Sequence, residues 1–225
     1  MEVKLKSITP NAEVNIVEIA RVSSSRVDKS EQPEKLIQYL LKNKHFSPFQ
    51  HSYLTFEITT SKAIGIQLLR HLSFTFQEFS QRYATVENVE SIEFRLQAEK
   101  NRQSSTKKIG RISQNKEKFI VDLDENNIVI REYLYQVSKY LENGLRLYKL
   151  GLELGIAREC ARMILPMTTS TTIYMTGSVR SWIHFLAIRD DGHAQLEIQL
   201  IAKEIKALFV KNLPIISKAL NYNEI

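Results

Sequence analysis

Glycine is scarce in this chain, and its placement is restrictive. Only 7 of the 225 residues are glycine. None falls in a Gly-x-Gly-x-x-Gly or Walker pattern, where glycine lets a backbone turn close on phosphate. A Rossmann cradle and a P-loop are therefore excluded. Any phosphate this chain binds must be met by side chains, chiefly arginine, whose planar fork matches phosphate oxygens.

The chain is long enough to bury a substantial core as one domain. Its 43% hydrophobic and 25% charged content is that of an ordinary globular protein. No apolar run approaches the roughly 18 residues of a membrane span, and MEVKLKSITP has no signal-peptide core. The expectation is a cytoplasmic protein with no membrane partner. The single cysteine, Cys160, rules out an internal disulfide framework and fits a reducing compartment. It lies in the apolar-periodic IARECARMIL and reads as a small core residue. No zinc-type spacing of Cys and His exists, so no metal is expected.

The net charge of +6 favours anionic partners, either nucleic acid or small phosphorylated ligands. Basic residues concentrate at 100–118 (KNRQSSTKKIGRISQNKEK). Polar and turn-rich, residues 97–118 read as a solvated surface loop. No aromatic residue interleaves with those charges, so a single-strand stacking platform is missing and no specific nucleic acid is expected.

Val3–Ile8 reads as a first strand and Glu13–Val22 as a helix. Gln32-Pro33-Glu34 opens a second helix, with proline early where helices tolerate it, and Leu36, Ile37, Leu40 and Leu41 form its apolar face. Ser52–Thr60 is β-prone. Ser61 is placed to cap a helix reaching about Arg70 or His71. Ser73–Arg82 reads as extended or loop. Phe119–Leu123 precedes a long helical pattern, Ile128–Leu147, punctuated by Gly151 and Gly155. Ile156–Leu165 reads as a helix stopped by Pro166, and Thr168–Thr176 as a strand. Ser178–Arg189 and Ala194–Phe209 read as amphipathic helices, the latter with Leu196, Leu200 or Ile201, Ile205 and Leu208 inward. With no repeat and no linker, the expected architecture over 1–225 is a single mixed α+β domain, helix-rich with a small antiparallel sheet.

The chemistry concentrates in Gln67–Tyr83, QLLRHLSFTFQEFSQRY. Two arginines, a histidine, a glutamate and several amides and hydroxyls surround a short apolar core, a mixture suited to an anion held with a flat polar heterocycle. Helical spacing gathers more such groups. Gln67 and Arg70 share a face, as do Arg158 and Arg162, and Arg180 and His184. The plain reading of these arginines is surface pairing with Glu153, Glu159, Asp190 or Asp191. The alternative is an anion answering them.

Arg70-His71, then Gln77-Glu78, Ser80 and Arg82-Tyr83 resemble the signature of the flavin-dependent thymidylate synthases: Arg-His-Arg, a seven-residue gap, Ser, then Arg-Tyr. The resemblance continues in order along the chain. Ala20-Arg21-Val22-Ser23 looks like a stretch near that family's N-terminus. His45-Phe46-Ser47-Pro48-Phe49-Gln50-His51 resembles its His-x-Thr/Ser-Pro-Phe-Glu-His segment. Ala157-Arg158-Glu159-Cys160-Ala161-Arg162 with Leu165-Pro166 resembles its arginine-bearing helix, and Leu186-Ala187-Ile188-Arg189, Asp191-Gly192-His193-Ala194-Gln195 and Glu197-Ile198 its ending.

The resemblance implies a homotetramer with shared active sites that converts dUMP to dTMP, using FAD, methylenetetrahydrofolate as carbon donor and NADPH as reductant. It implies that His45, Ser47, Arg70, His71, Leu72, Gln77, Glu78, Ser178, Arg180 and His184 surround FAD. It assigns dUMP to Gln67, Arg70, Glu78, Phe79, Ser80, Gln81, Arg82, Arg162 and Arg189, with Arg189 at the uracil edge as the catalytic cation. Leu72 departs from the pattern, standing where the signature has its third residue, arginine. Gln50 stands in place of Glu, and Ser178 and His184 in place of Asn. Two other readings follow from the residues: a flavin- and pyrimidine-nucleotide-binding relative with altered or impaired one-carbon chemistry, and a nucleic-acid-binding module suggested by the basic segment.

Overall fold

A computed structural model describes residues 1–22, 33–101, 103–116, 118–124 and 126–222. Ser23 of the N-terminal motif, Gln32 at the second helix start, and Arg102 and Glu117 of the basic segment lie outside the described residues. The fold is α+β. In chain order it runs β1 (Glu2–Ile8), α1 (Ala12–Ala20), α2 (Pro33–Lys42), β2 (Tyr53–Ser61), α3 (Lys62–Leu69), β3 (Thr75–Glu78), β4 (Ile92–Gln97), β5 (Ser105–Asn115), β6 (Lys118–Leu123), α4 (Ile128–Glu153), α5 (Arg158–Ala161), β7 (Ser170–Ser178), α6 (Val179–Arg189), α7 (Leu196–Asn212) and α8 (Pro214–Ala219). One sheet has the order β1-β2-β7-β3, and a second the order β4-β5-β6.

The chain resolves into two compact units. One comprises Met1, Thr59–Leu68 and Glu78–Thr172; the other comprises Glu2–Ile58, Leu69–Gln77 and Ile173–Ile225. In the first, α4 packs on β5 and β6. Leu134, Leu141, Leu145 and Tyr148 recur at helical spacing on α4 and are buried with Val86, Val89 and Ile112. The Tyr148 hydroxyl is not stranded in that core, because it accepts the Val86 N–H at 3.3 Å. Asn127 caps α4, its side-chain oxygen accepting from the Val129 and Ile130 N–H groups at 2.9 and 3.2 Å. Gly155, at φ 78, follows its C-terminal end in the left-handed region.

In the second unit an aromatic cluster forms the centre. Trp182 is fully buried, with Phe56 and Phe74 edge-on to it at 4.7 and 4.6 Å between ring centroids. Its indole N–H donates to the Leu54 carbonyl at 3.1 Å. Ser52, also buried, donates to the Ala12 carbonyl and so ties the start of β2 to α1. Gly177 lies against the Phe74 ring, where a Cβ would overlap the ring carbons.

Three expectations are corrected. Residues 97–118 are not one polar loop, because β5 fills half of the segment as the middle strand of its sheet. Ile109 and Ile112 are its buried apolar side chains. Its cations lie against carboxylates, Arg111 on Glu93 at 3.2 Å and Lys108 on Asp124 at 3.0 Å. The helix expected over Ile156–Leu165 shrinks to the single turn of α5 and a 3-10 turn, Arg162–Ile164, before Pro166. On that short turn Ala161 faces inward and Cys160 is exposed, so Cys160 is not a core residue. On α7, Ile201 is the inward residue and Leu200 is 40% exposed.

Candidate active site

In the unit containing the aromatic cluster, β7 passes directly into α6. Ser178 makes the junction, its hydroxyl accepting the Ser181 N–H at 3.2 Å. Ser181 in turn donates to the Ser73 carbonyl at 3.1 Å, which fixes the segment after the Arg-His-Leu signature against the start of α6. Beside this junction is a cavity of about 690 Å³, lined by Phe46, Gln50, Tyr53, Ser73, Ser178, Arg180, Ser181, Ile183, His184 and Ala187. Arg180, Ile183, His184 and Ala187 share one face of α6 at i, i+3, i+4 and i+7 spacing. That one face therefore brings apolar surface, a guanidinium and an imidazole to the cavity together. Among the described residues no carboxylate pairs with Arg180 or with the exposed Arg70.

His71 and Arg189 meet in the same unit. The Arg189 Nε–H donates to His71 Nε2 at 3.0 Å. His71 is half-buried, with the Phe185 and Phe74 rings edge-on at 5.0 and 6.2 Å. Burial, then the positive charge of Arg189, then His184, lowers its pKa to about 4. His71 is accordingly a neutral imidazole at neutral pH, accepting through Nε2 and carrying its proton on Nδ1. It holds Arg189 through one nitrogen and leaves the two terminal guanidinium nitrogens for other acceptors.

Leu72 follows His71 and is 95% exposed. His45 and Ser47 flank the cavity residue Phe46 in sequence but are not among the cavity walls. His45 is exposed and edge-on to Tyr39 at 5.9 Å. Gln77 is exposed on β3.

The other unit carries the remaining candidates. Gln67 is half-buried on α3. Glu78 ends β3, its carboxylate paired with Lys62 at 2.7 Å and accepting from the Thr171 hydroxyl at 2.9 Å. Phe79 packs against the core around α4, and its N–H donates to the Thr172 carbonyl at 2.9 Å. The Ser80 hydroxyl accepts the Arg82 N–H at 3.4 Å, and Arg82 meets Glu159 at 3.6 Å with both side chains more than half exposed. Gln81 is half-buried. Arg162 opens the 3-10 turn after α5. Among the described residues no carboxylate pairs with Arg158 or Arg162, so the expected surface pairing of these two is not seen, and Glu159 goes to Arg82.

Sequence reasoning did not pick out Phe46, Tyr53, Ser73, Ser181, Ile183 or Ala187 as site residues. The period of α6 starting from Arg180 is the signal that finds Ile183 and Ala187. The contributions of Tyr53 and Ser73 depend on tertiary placement.

The family described as "Thymidylate synthase complementing protein" matches residues 4–215. A Paramecium bursaria Chlorella virus 1 protein named "Probable flavin-dependent thymidylate synthase" is 37% identical over 231 residues, spanning 99% of this chain and 100% of the relative. A "Flavin-dependent thymidylate synthase" of Synechocystis sp. is 40% identical over 204 residues, 90% of this chain and 86% of the relative. One from Thermosipho melanesiensis is 35% identical over 201 residues, 88% of this chain and 81% of the relative.

Proposed function

The chain belongs to the thymidylate synthase complementing protein family, and on that premise we propose that it is a flavin-dependent thymidylate synthase, methylating dUMP reductively to dTMP with FAD as cofactor, methylenetetrahydrofolate as carbon donor and NADPH as reductant. The observation that carries this reading is the pairing of Arg189 with a neutral His71 in the unit that also holds the 690 Å³ cavity.

The cavity suits a flavin. Phe46, Ile183 and Ala187 offer apolar surface to a flat ring. Gln50, Ser178 and His184 offer hydrogen bonds, and Arg180 is a cation awaiting an anion. Bound there, FAD supplies hydride transfer. The chain's own residues do the rest. Uracil must become electron-rich at C5 to accept a carbon unit, which places negative charge on its carbonyl oxygens. Arg189, fixed by its bond to His71, is assigned to stabilise that charge. A preorganised donor of this kind contributes roughly 3–4 kcal/mol. Because His71 stays neutral, it orients Arg189 without competing for the anion. Arg82 and Arg162 are assigned to the nucleotide phosphate, with Gln67, Glu78, Phe79, Ser80 and Gln81 completing the nucleotide's contacts. No cysteine nucleophile enters this scheme.

We place the active enzyme in a homotetramer and in the cytoplasm. No helix among the described residues is long and apolar enough to cross a membrane.

The test is tritium release and dTMP formation from 5-tritiated dUMP by FAD-loaded protein supplied with methylenetetrahydrofolate and NADPH. Turnover is the expected result. A second reading is favoured by Leu72, Ser178 and His184, which depart from the family pattern around the flavin: a relative with altered one-carbon chemistry. Yellow protein that binds dUMP without forming dTMP would select it.

A further inference from the structure

The Glu78 carboxylate is held from one side only. The Lys62 ammonium donates to Oε1 at 2.7 Å and the Thr171 hydroxyl donates to the same oxygen at 2.9 Å. Oε2 has no partner among the described residues. The three residues come from the start of α3, the end of β3 and β7, and their backbones are tied nearby. The Lys62 N–H donates to the Thr169 carbonyl at 2.8 Å, and the Phe79 N–H to the Thr172 carbonyl at 2.9 Å. Thr171 is only 2% exposed, and the Lys62 and Glu78 side chains are 30% and 20% exposed.

Lys62 is an unexpected choice for its position. It is the first residue of α3, where the helix dipole opposes a cation. Among the described residues its ammonium pairs with Glu78 alone. A cation placed against the local field, aimed at a single oxygen of a carboxylate assigned to the substrate, orients that carboxylate.

We infer that Lys62 is a positioning residue for the nucleotide site: with Thr171 it engages Oε1 of Glu78 and leaves Oε2 directed to accept a hydrogen bond from dUMP. This rests on the proposed assignment of Glu78 to the nucleotide. Without the lysine, the carboxylate is free to rotate about its terminal bond, and the acceptor is no longer preorganised.

The experiment titrates FAD-loaded protein with dUMP in the wild type, Lys62→Met, Lys62→Arg, Glu78→Gln and the Lys62→Met/Glu78→Gln double variant. Lys62→Met should weaken dUMP binding by roughly 5- to 20-fold, the range of a charge-assisted hydrogen bond discounted for partial exposure. Lys62→Arg should restore affinity to within about threefold, since it keeps the donor and the charge. The double variant should bind no worse than Glu78→Gln alone, because Lys62 acts only through Glu78. Wild-type affinity in Lys62→Met, or single losses that multiply in the double variant, would overturn the inference while leaving the enzyme assignment intact. Wild-type affinity in Glu78→Gln would instead remove Glu78 from the nucleotide site, and the inference with it. Should Lys62→Met not yield folded protein, Lys62→Gln is read against Lys62→Arg in the same way.

Discussion

At the scale of single residues, the site depends on which groups are charged. Native His71 takes up a proton near pH 4, against 6.5 for an ordinary histidine. Between those values the unfolded chain binds more protons than the folded one. The contribution of His71 to stability is therefore complete above pH 6.5 and is lost as pH falls through about 4. Urea midpoints measured at pH 7.5 and pH 5 should drop for the wild type and drop less for His71→Gln. An equal drop in both would locate the acid sensitivity elsewhere. Leu72 leads to a second expectation. Its side chain is 95% exposed, so Leu72→Arg should change stability by no more than about 0.5 kcal/mol. A guanidinium beside the proposed flavin site should tighten FAD by roughly tenfold, read by flavin fluorescence on titration. Unchanged FAD affinity would mean that the third signature position does not face the cofactor here. The candidate site was proposed residue by residue, because arginine, histidine and glutamate carry their chemistry with them. The Arg189–His71 bond was not, since the two are 118 positions apart and no local spacing encodes their meeting.

At the scale of elements, legibility followed periodicity. α4 and α6 announce themselves by apolar spacing, and β2 by alternation of buried and half-buried residues. β5 did not, because only Ile109, Gly110 and Ile112 of its eleven residues are buried and the remainder is charged or polar. A middle strand satisfied by backbone pairing on both sides needs little apolar content. Two substitutions probe the elements directly. Asn127→Ala removes the acceptor for two orphan N–H groups at the start of α4 and should cost about 1 kcal/mol in urea unfolding. Gly177→Ala forces Phe74 off its place against Trp182 and should cost about 1–3 kcal/mol. The near-ultraviolet circular dichroism of Trp182 should change along with it. A Gly177→Ala protein of wild-type stability and spectrum would show that the aromatic cluster yields more readily than close packing allows.

At the scale of the whole molecule, the proposed tetramer predicts sedimentation at close to four times the 26.1 kDa chain mass. A monomer at micromolar concentration would refute shared active sites. The positive charge of the chain predicts that dUMP association slows as salt is raised. The two compact units have a further consequence, one for the order of synthesis. All residues of one unit have been made once Thr172 is added, so it can close while the rest of the chain is still to come. The other includes β1 and cannot close until the segment from Ile173 arrives, because β1 packs against α7. During translation the unit that lines the 690 Å³ cavity must wait, with β1 uncovered, for helices made after every residue of the other unit.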